Sequence, residues 1–229
     1  MSQAIEIDII ADLTCPWSYI GKKRLEATLE LLGVEARTRW YPYMQEPEIP
    51  PGGIARSEWL ARAYGVPEQV SKALEPIRVA GMQDGVEFDF DAIKVMPNTL
   101  DAHRMVRWAR EAGREDEMVE RLYAMFFREG KDIGDHDVLA GAAEEMGLMN
   151  RFKARKMLES ELDVEEIWRE MKQAHELGLK VVPTYIIAGK YAILGVEDPV
   201  TMAQAIQKAV SGEAPDAGPE KAEEEGKGE

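Results

Sequence analysis

A single cysteine occurs in the 229 residues, and it stands in the stretch Leu13-Thr14-Cys15-Pro16-Trp17-Ser18. Upstream, residues 4–11 (AIEIDIIA) are β-branched and partly alternating, which reads as a strand. Downstream, Ile20, Leu25, Leu29 and Leu32 recur near helical spacing as far as Gly33, a natural helix stop. Cys15 thus falls just ahead of a helix, where unpaired N–H groups and the positive end of the helix dipole favour thiolate over thiol. Such a position is expected to expose the thiol and to lower its pKa from about 8.5 into the range of roughly 3.5 to 7.5, giving a nucleophile at neutral pH. Pro16 suits the first helical turn, where the N–H it lacks is not needed. Alternatively, Cys15 is an inert small apolar side chain, as free cysteines commonly are.

A second feature lies far along the chain. Val181-Val182-Pro183-Thr184 puts a proline at the entry to an apolar strand, where it cannot donate to a ladder. A cis Val182–Pro183 bond would turn the chain sharply and leave the Val182 backbone free to pair with an extended substrate. The alternative is an ordinary trans proline at a strand start.

The composition narrows the classes. With 45% hydrophobic residues the chain can bury a real core, as one large domain or as one domain carrying an insertion. No apolar run approaches the length of about 18 residues that a membrane span needs, so no membrane partner is expected. The start, MSQAIEIDIIAD, has no basic leader and reads as a first strand, not a signal peptide. One cysteine permits no intramolecular disulfide, which fits a reducing, cytoplasmic setting. His103, His136 and His175 lie far apart, so metal is not expected as a cofactor. A formal charge of −15 argues against nonspecific nucleic-acid binding, which needs a basic surface.

Residues 34–43 (VEARTRWYPY) alternate well enough for a second strand, and the Pro- and Gly-rich MQEPEIPPGG then breaks regular structure. Residues 56–165 read as almost entirely helical, in segments with apolar positions three or four apart and short Gly or Pro stops. DVEEIWREMKQAHELG continues as a helix, LKVVPTYIIAGKYAILG as two strands around Ala188-Gly189, and DPVTMAQAIQKAV as a last helix. From Ser211 onward seven acidic residues and two lysines occur without apolar periodicity, which predicts a disordered tail. The order is therefore β-α-β, a helical block, then α-β-β-α.

Four segments, DLTCPWSYIGKKRLE, PNTLDAHRMVRWAREAG, DVLAGAAEEMGL and VVPTYIIAGKYAILG, occur in the order found in the DsbA-like branch of the thioredoxin superfamily. The chain resembles its FrnE-type group, related to the 2-hydroxychromene-2-carboxylate isomerases and kappa-class glutathione transferases, from about residue 5 to 210. That resemblance implies an α/β, thioredoxin-like fold with a large all-helical insertion. Residues 1–50 and 166–211 would form its two halves, 51–165 the insertion domain and 212–229 the acidic tail. It implies Cys15 as the attacking thiol, Pro16 and Trp17 as the intervening dipeptide, and Val182 and Pro183 as the facing cis-proline segment.

Ser18 departs from the pattern of the disulfide-exchanging members, which carry a resolving cysteine there. A hydroxyl cannot form a disulfide, so an intramolecular dithiol cycle is excluded and monothiol exchange or isomerisation remains. Ser18 would instead hydrogen-bond the thiolate. The sequence is equally consistent with a serine of the chain's own and with one that replaces a resolving cysteine.

The expected activity is thiol–disulfide exchange on protein or peptide disulfides or glutathione, by a monomer or homodimer. No cofactor is permanently bound in this reading, with glutathione as a co-substrate. A glutathione-dependent isomerase or transferase is the enzymatic alternative, and a redox-inactive peptide-binding module the alternative of another class. Secondary candidates are Asn98, which borders the cleft in the relatives but serves equally as a helix cap, and His103, a proton carrier or a packed ring. Glu197 and Asp198 fall where glutathione-binding relatives hold the γ-glutamyl amine, although Asp198 also suits a helix cap. Trp17, Tyr19, Trp40 and Tyr43 are candidate aromatic walls, and Arg104, Arg107 and Arg110 read as a solvated helix face.

Overall fold

The computed structural model describes residues 4–212. The predicted acidic tail lies, from residue 213 on, outside the described residues. Strand β1 (Ile5–Ala11) runs into α1 (Pro16–Leu32), which Gly33 ends in the left-handed conformation (φ 62°). Next come β2 (Ala36–Pro42), the two-residue β3 (Ile54–Ala55), α2 (Arg56–Tyr64), α3 (Pro67–Gln83) and β4 (Val95–Met96). Helices α4 (Leu100–Glu111), α5 (Glu115–Phe127), α6 (His136–Glu145), α7 (Arg151–Leu158) and α8 (Val164–Glu176) follow. The chain closes with β5 (Thr184–Ile187), β6 (Tyr191–Leu194) and α9 (Pro199–Ser211). This is the thioredoxin-like α/β plan with helices inserted between β2 and β5.

The main sheet has the order β2-β1-β5-β6. Strand β1 pairs in parallel with β2 (Ile9 opposite Trp40) and antiparallel with β5 (Ile9 opposite Tyr185). Strands β5 and β6 form the hairpin expected around Ala188-Gly189, whose φ values of 51° and 66° are those of a type I′ turn. Side chains alternate across β1, so Ile5, Ile7, Ile9 and Ala11 enter the main core while Ile10 faces the other way. Ile10 there joins Cys15, Tyr43, Ala174 and Val182 in a small separate cluster. The main core is continuous from the sheet residues Ile9 and Tyr185 to Met105, Phe126 and Leu139 of the inserted helices.

Two parts of the helical span differ from expectation. Residues 84–99 are not helical: Val86, Phe88, Phe90 and Ile93 are buried there, and β4 pairs with β3. Phe88 and Phe90 stack at 4.9 Å and meet Phe127 of α5 edge-on, so aromatic packing and not helix periodicity orders this segment.

The arginines of α4 form no solvated face. Arg104 is 1% exposed and donates to the carbonyls of Met157, Leu158, Ser160 and Leu162, at and just beyond the C-terminal end of α7. Arg110 donates to the Trp40 carbonyl while Glu115 accepts the Trp40 N–H, so two side chains occupy the backbone groups of the edge strand β2. Among the described residues no helix is long and apolar enough to cross a membrane.

Candidate active site at Cys15

Cys15 is the N-cap residue of α1, with extended backbone (φ −86°, ψ 114°), and its carbonyl accepts the Ser18 N–H at 3.0 Å. The side chain makes no capping bond. Its thiol turns instead to the Val182 carbonyl, with Sγ 3.9 Å from the oxygen. The Val182–Pro183 peptide is cis. Around it, Gly195 N–H donates to the Pro183 carbonyl at 2.7 Å and the Thr184 hydroxyl donates to the Val181 carbonyl at 2.6 Å. Sequence positions 15 and 182 are thus brought together by the β1–β5 pairing.

The expectation of an exposed, acidified thiol is corrected. Cys15 is 4% exposed, and its pKa is pushed up to about 11, first by burial and then by the nearby Asp12 carboxylate. The amide and hydroxyl of Ser18 and the amide of Trp17 act the other way, as a helix start should, but do not win. Desolvation of the charged form outweighs the local helix-end geometry that the sequence displays.

Asp12 was not singled out from the sequence. It is 2% exposed, and its carboxylate accepts from the Thr14 N–H and hydroxyl, both at 2.7 Å, and from the Gln45 N–H at 2.8 Å. Burial raises its pKa, and these hydrogen bonds oppose the rise. The signal was a carboxylate one residue beyond the end of an apolar strand.

Ser18 is fully buried; its hydroxyl lies near enough to Cys15 to favour the thiolate but makes no well-formed hydrogen bond among the described residues. Tyr123 and Tyr185 are two further buried phenols whose pKa values are raised first by burial and then by the Cys15 charge. Tyr185 lies so close to α1 that a Cβ on Gly21 would sit 2.1 Å from its oxygen, so only glycine allows this approach of helix and strand.

The raised thiol pKa sets a pH dependence of stability. The unfolded chain releases the thiol proton near its ordinary value and the folded chain only near 11, so between these values the unfolded state binds fewer protons. Stability is therefore lost as pH rises through that window. At pH 10 the difference amounts to about 2 kcal/mol for an unfolded pKa of about 8.5. Denaturant unfolding at pH 8 and pH 10 should show this extra loss in the parent chain and not in Cys15→Ala.

The model of the DSBA-like thioredoxin domain family matches residues 6–207. The chain belongs to this family. Among curated proteins, this DSBA-like chain is 27% identical over 185 residues to the uncharacterized protein YwbO of Bacillus subtilis, covering 80% of this chain and 86% of that one. A probable DsbA oxidoreductase from Streptomyces coelicolor superposes with a TM-score of 0.81 at 22% identity, covering 93% of both chains. A 2-hydroxychromene-2-carboxylate isomerase superposes with a TM-score of 0.67 at 14% identity, covering 89% of this chain and 95% of that one.

Within the DSBA-like frame the secondary candidates separate. Trp17, 37% exposed, and Val181, 45% exposed, are large apolar side chains at the surface beside Cys15 and Val182 in sequence. Tyr43 belongs to the cluster of Cys15 and Val182. Tyr19 and Trp40 are not walls of the site; both are buried in the main core, where Tyr19 stacks on Tyr123 at 4.9 Å. Asn98 donates to the Ile49 carbonyl and accepts the Leu100 N–H, so both ends of its amide are used in holding the start of α4. Asp198 caps α9 through Val200 N–H, Thr201 N–H and the Thr201 hydroxyl. The adjacent Glu197 carbonyl accepts from Arg24. His103 is buried in α4, its pKa lowered to about 4 by burial.

Proposed function

We propose that the chain is a thiol–disulfide oxidoreductase or isomerase that acts through Cys15 in its Cys15-Pro16-Trp17-Ser18 motif. The observation that carries this is the placement of the thiol at the head of α1, 3.9 Å from the carbonyl of Val182, the residue before Pro183. Membership of the DSBA-like family supports it. Burial makes the resting thiol a poor nucleophile, so reaction requires that its proton leave as the substrate arrives. Asp12, with its raised pKa, is the carboxylate suited to receive it.

The thiolate attacks one sulfur of a substrate disulfide, forming a mixed disulfide with Cys15 and releasing the other substrate sulfur as a thiolate, which takes up a proton. An external thiolate, such as that of glutathione, then attacks the mixed disulfide and frees Cys15. Alternatively, a second thiol of the same substrate displaces Cys15, and the substrate is isomerised without net redox change. The Ser18 hydroxyl, which makes no well-formed hydrogen bond with the described residues in the resting site, supplies one to the sulfur when it becomes anionic. Dependence on an external thiol fits a reducing compartment such as the cytoplasm.

Catalytic amounts of the protein should accelerate recovery of a scrambled disulfide protein in a glutathione buffer. A recovery rate equal to that of buffer alone would contradict the proposal. A redox-inactive peptide-binding module is the second reading, favoured by the closed position and raised pKa of the thiol. It predicts peptide binding unchanged by Cys15→Ala, with no exchange.

Position 18 offers a further check. Ser18→Cys should restore a dithiol site: the variant oxidises to an intramolecular disulfide, visible as a loss of about two mass units. Its mixed disulfides should resolve without external thiol, at least about tenfold faster than those of the parent chain, because the second thiol is held in place. An intermediate that still waits for external thiol would show that position 18 cannot serve as a resolving site.

A further inference from the structure

Behind the first two strands of the sheet lies a small cavity of about 10 Å³, bounded by β2, α4 and α8. Most of its wall is apolar, but His103, Arg107 and Arg110 of α4 and Glu170 of α8 line it. His103 is 5% exposed and Glu170 8%, and each has one buried polar atom with no partner among the described residues: Nε2 of the imidazole and Oε2 of the carboxylate. The other carboxylate oxygen is in use, accepting from Arg107 Nη1 at 2.8 Å and lying 3.7 Å from Arg110 Nη1.

Both residues line the same cavity, and leaving their buried polar atoms unpaired is costly; native interiors avoid this by admitting water. That volume has room for about one water molecule. The donor and acceptor count selects the same molecule. With the ring proton on Nδ1, Nε2 is an acceptor like the carboxylate oxygen, and neither can satisfy the other. Water brings two donors, one for each, and keeps two lone pairs for the guanidinium groups beside it.

We propose that this cavity binds a single structural water, which donates to His103 Nε2 and to Glu170 Oε2 and so bridges α4 to α8. The neutral state of the ring that this requires is supported by burial, which holds the His103 pKa down to about 4. The site is separate from the thiol chemistry and does not depend on it.

High-resolution diffraction from crystals of the full chain tests the proposal. The expected result is density for one ordered water within hydrogen-bond distance of both atoms. An empty cavity, or His103 turned into direct contact with Glu170, would overturn it. Nitrogen-15 NMR of the folded protein reads the same site without a variant that might misfold. A neutral His103 ring showing magnetisation transfer from a long-lived water is expected, and a charged ring at neutral pH, or one with no water contact, would overturn the bridge.

Discussion

Cys15→Ser is expected to bring disulfide exchange down to the uncatalysed background while leaving the fold intact. The hydroxyl is close in size to the thiol, so the main structural effect is a buried hydroxyl among the apolar side chains of Ile10, Tyr43, Ala174 and Val182. That change costs about 1–3 kcal/mol. Exchange is lost because no other sulfur nucleophile of the thiol type exists in the chain. The measurement pairs a disulfide-isomerisation assay with denaturant unfolding, so that loss of activity is read against a folded protein. Activity that survives the substitution would place the chemistry elsewhere.

The largest loss of stability is expected for Arg104→Ala. The guanidinium is 1% exposed, pairs with Asp101, lies 5.0 Å from the Trp108 ring and satisfies four carbonyls around the end of α7. Truncation leaves those carbonyls and the Asp101 carboxylate short of a donor, a change of about 3–5 kcal/mol. Arg104→Lys should recover only part of it, because one ammonium cannot reproduce the planar fork that reaches four separate oxygens. Urea unfolding midpoints of the two variants check both statements. A midpoint for Arg104→Ala within the error of the parent would show that water replaces the guanidinium without cost.

Arg104 also illustrates what the sequence displays and what it hides. Three arginines at helical spacing look like a wet face, because a charge normally stays in water. Yet Ala102, Met105, Val106 and Ala109 around Arg104 are buried too, and the guanidinium is needed there because α7 ends against α4. Nothing local to residues 100–111 announces a carbonyl cluster supplied from residues 157–162. The same holds at the thiol. The strand, the helix start at Pro16, the stop at Gly33 and the turn at Ala188-Gly189 are local signals, and the fold obeys them. The burial that pushes the Cys15 pKa up comes from Tyr43, Ala174 and Val182, which reach the thiol only through the tertiary fold.

Asp12 stands between these cases. It is three residues from Cys15, yet its state is set by burial in the folded chain and by the N–H of Gln45, which is distant in sequence. Residues 84–99 show a different limit. Their Val86, Phe88 and Phe90 alternate visibly, but the aromatic surface they need is supplied by Phe127, so the segment is ordered from outside itself.

The central claim is that Cys15 is a monothiol able to exchange with a disulfide despite its closed position. Intact-mass analysis after incubation of the full chain with oxidised glutathione and, separately, with a scrambled disulfide protein tests it most directly. The account predicts one adduct per chain, mapped to Cys15, reversed by added thiol and absent in Cys15→Ser. No adduct with either disulfide under conditions where the protein stays folded would contradict it.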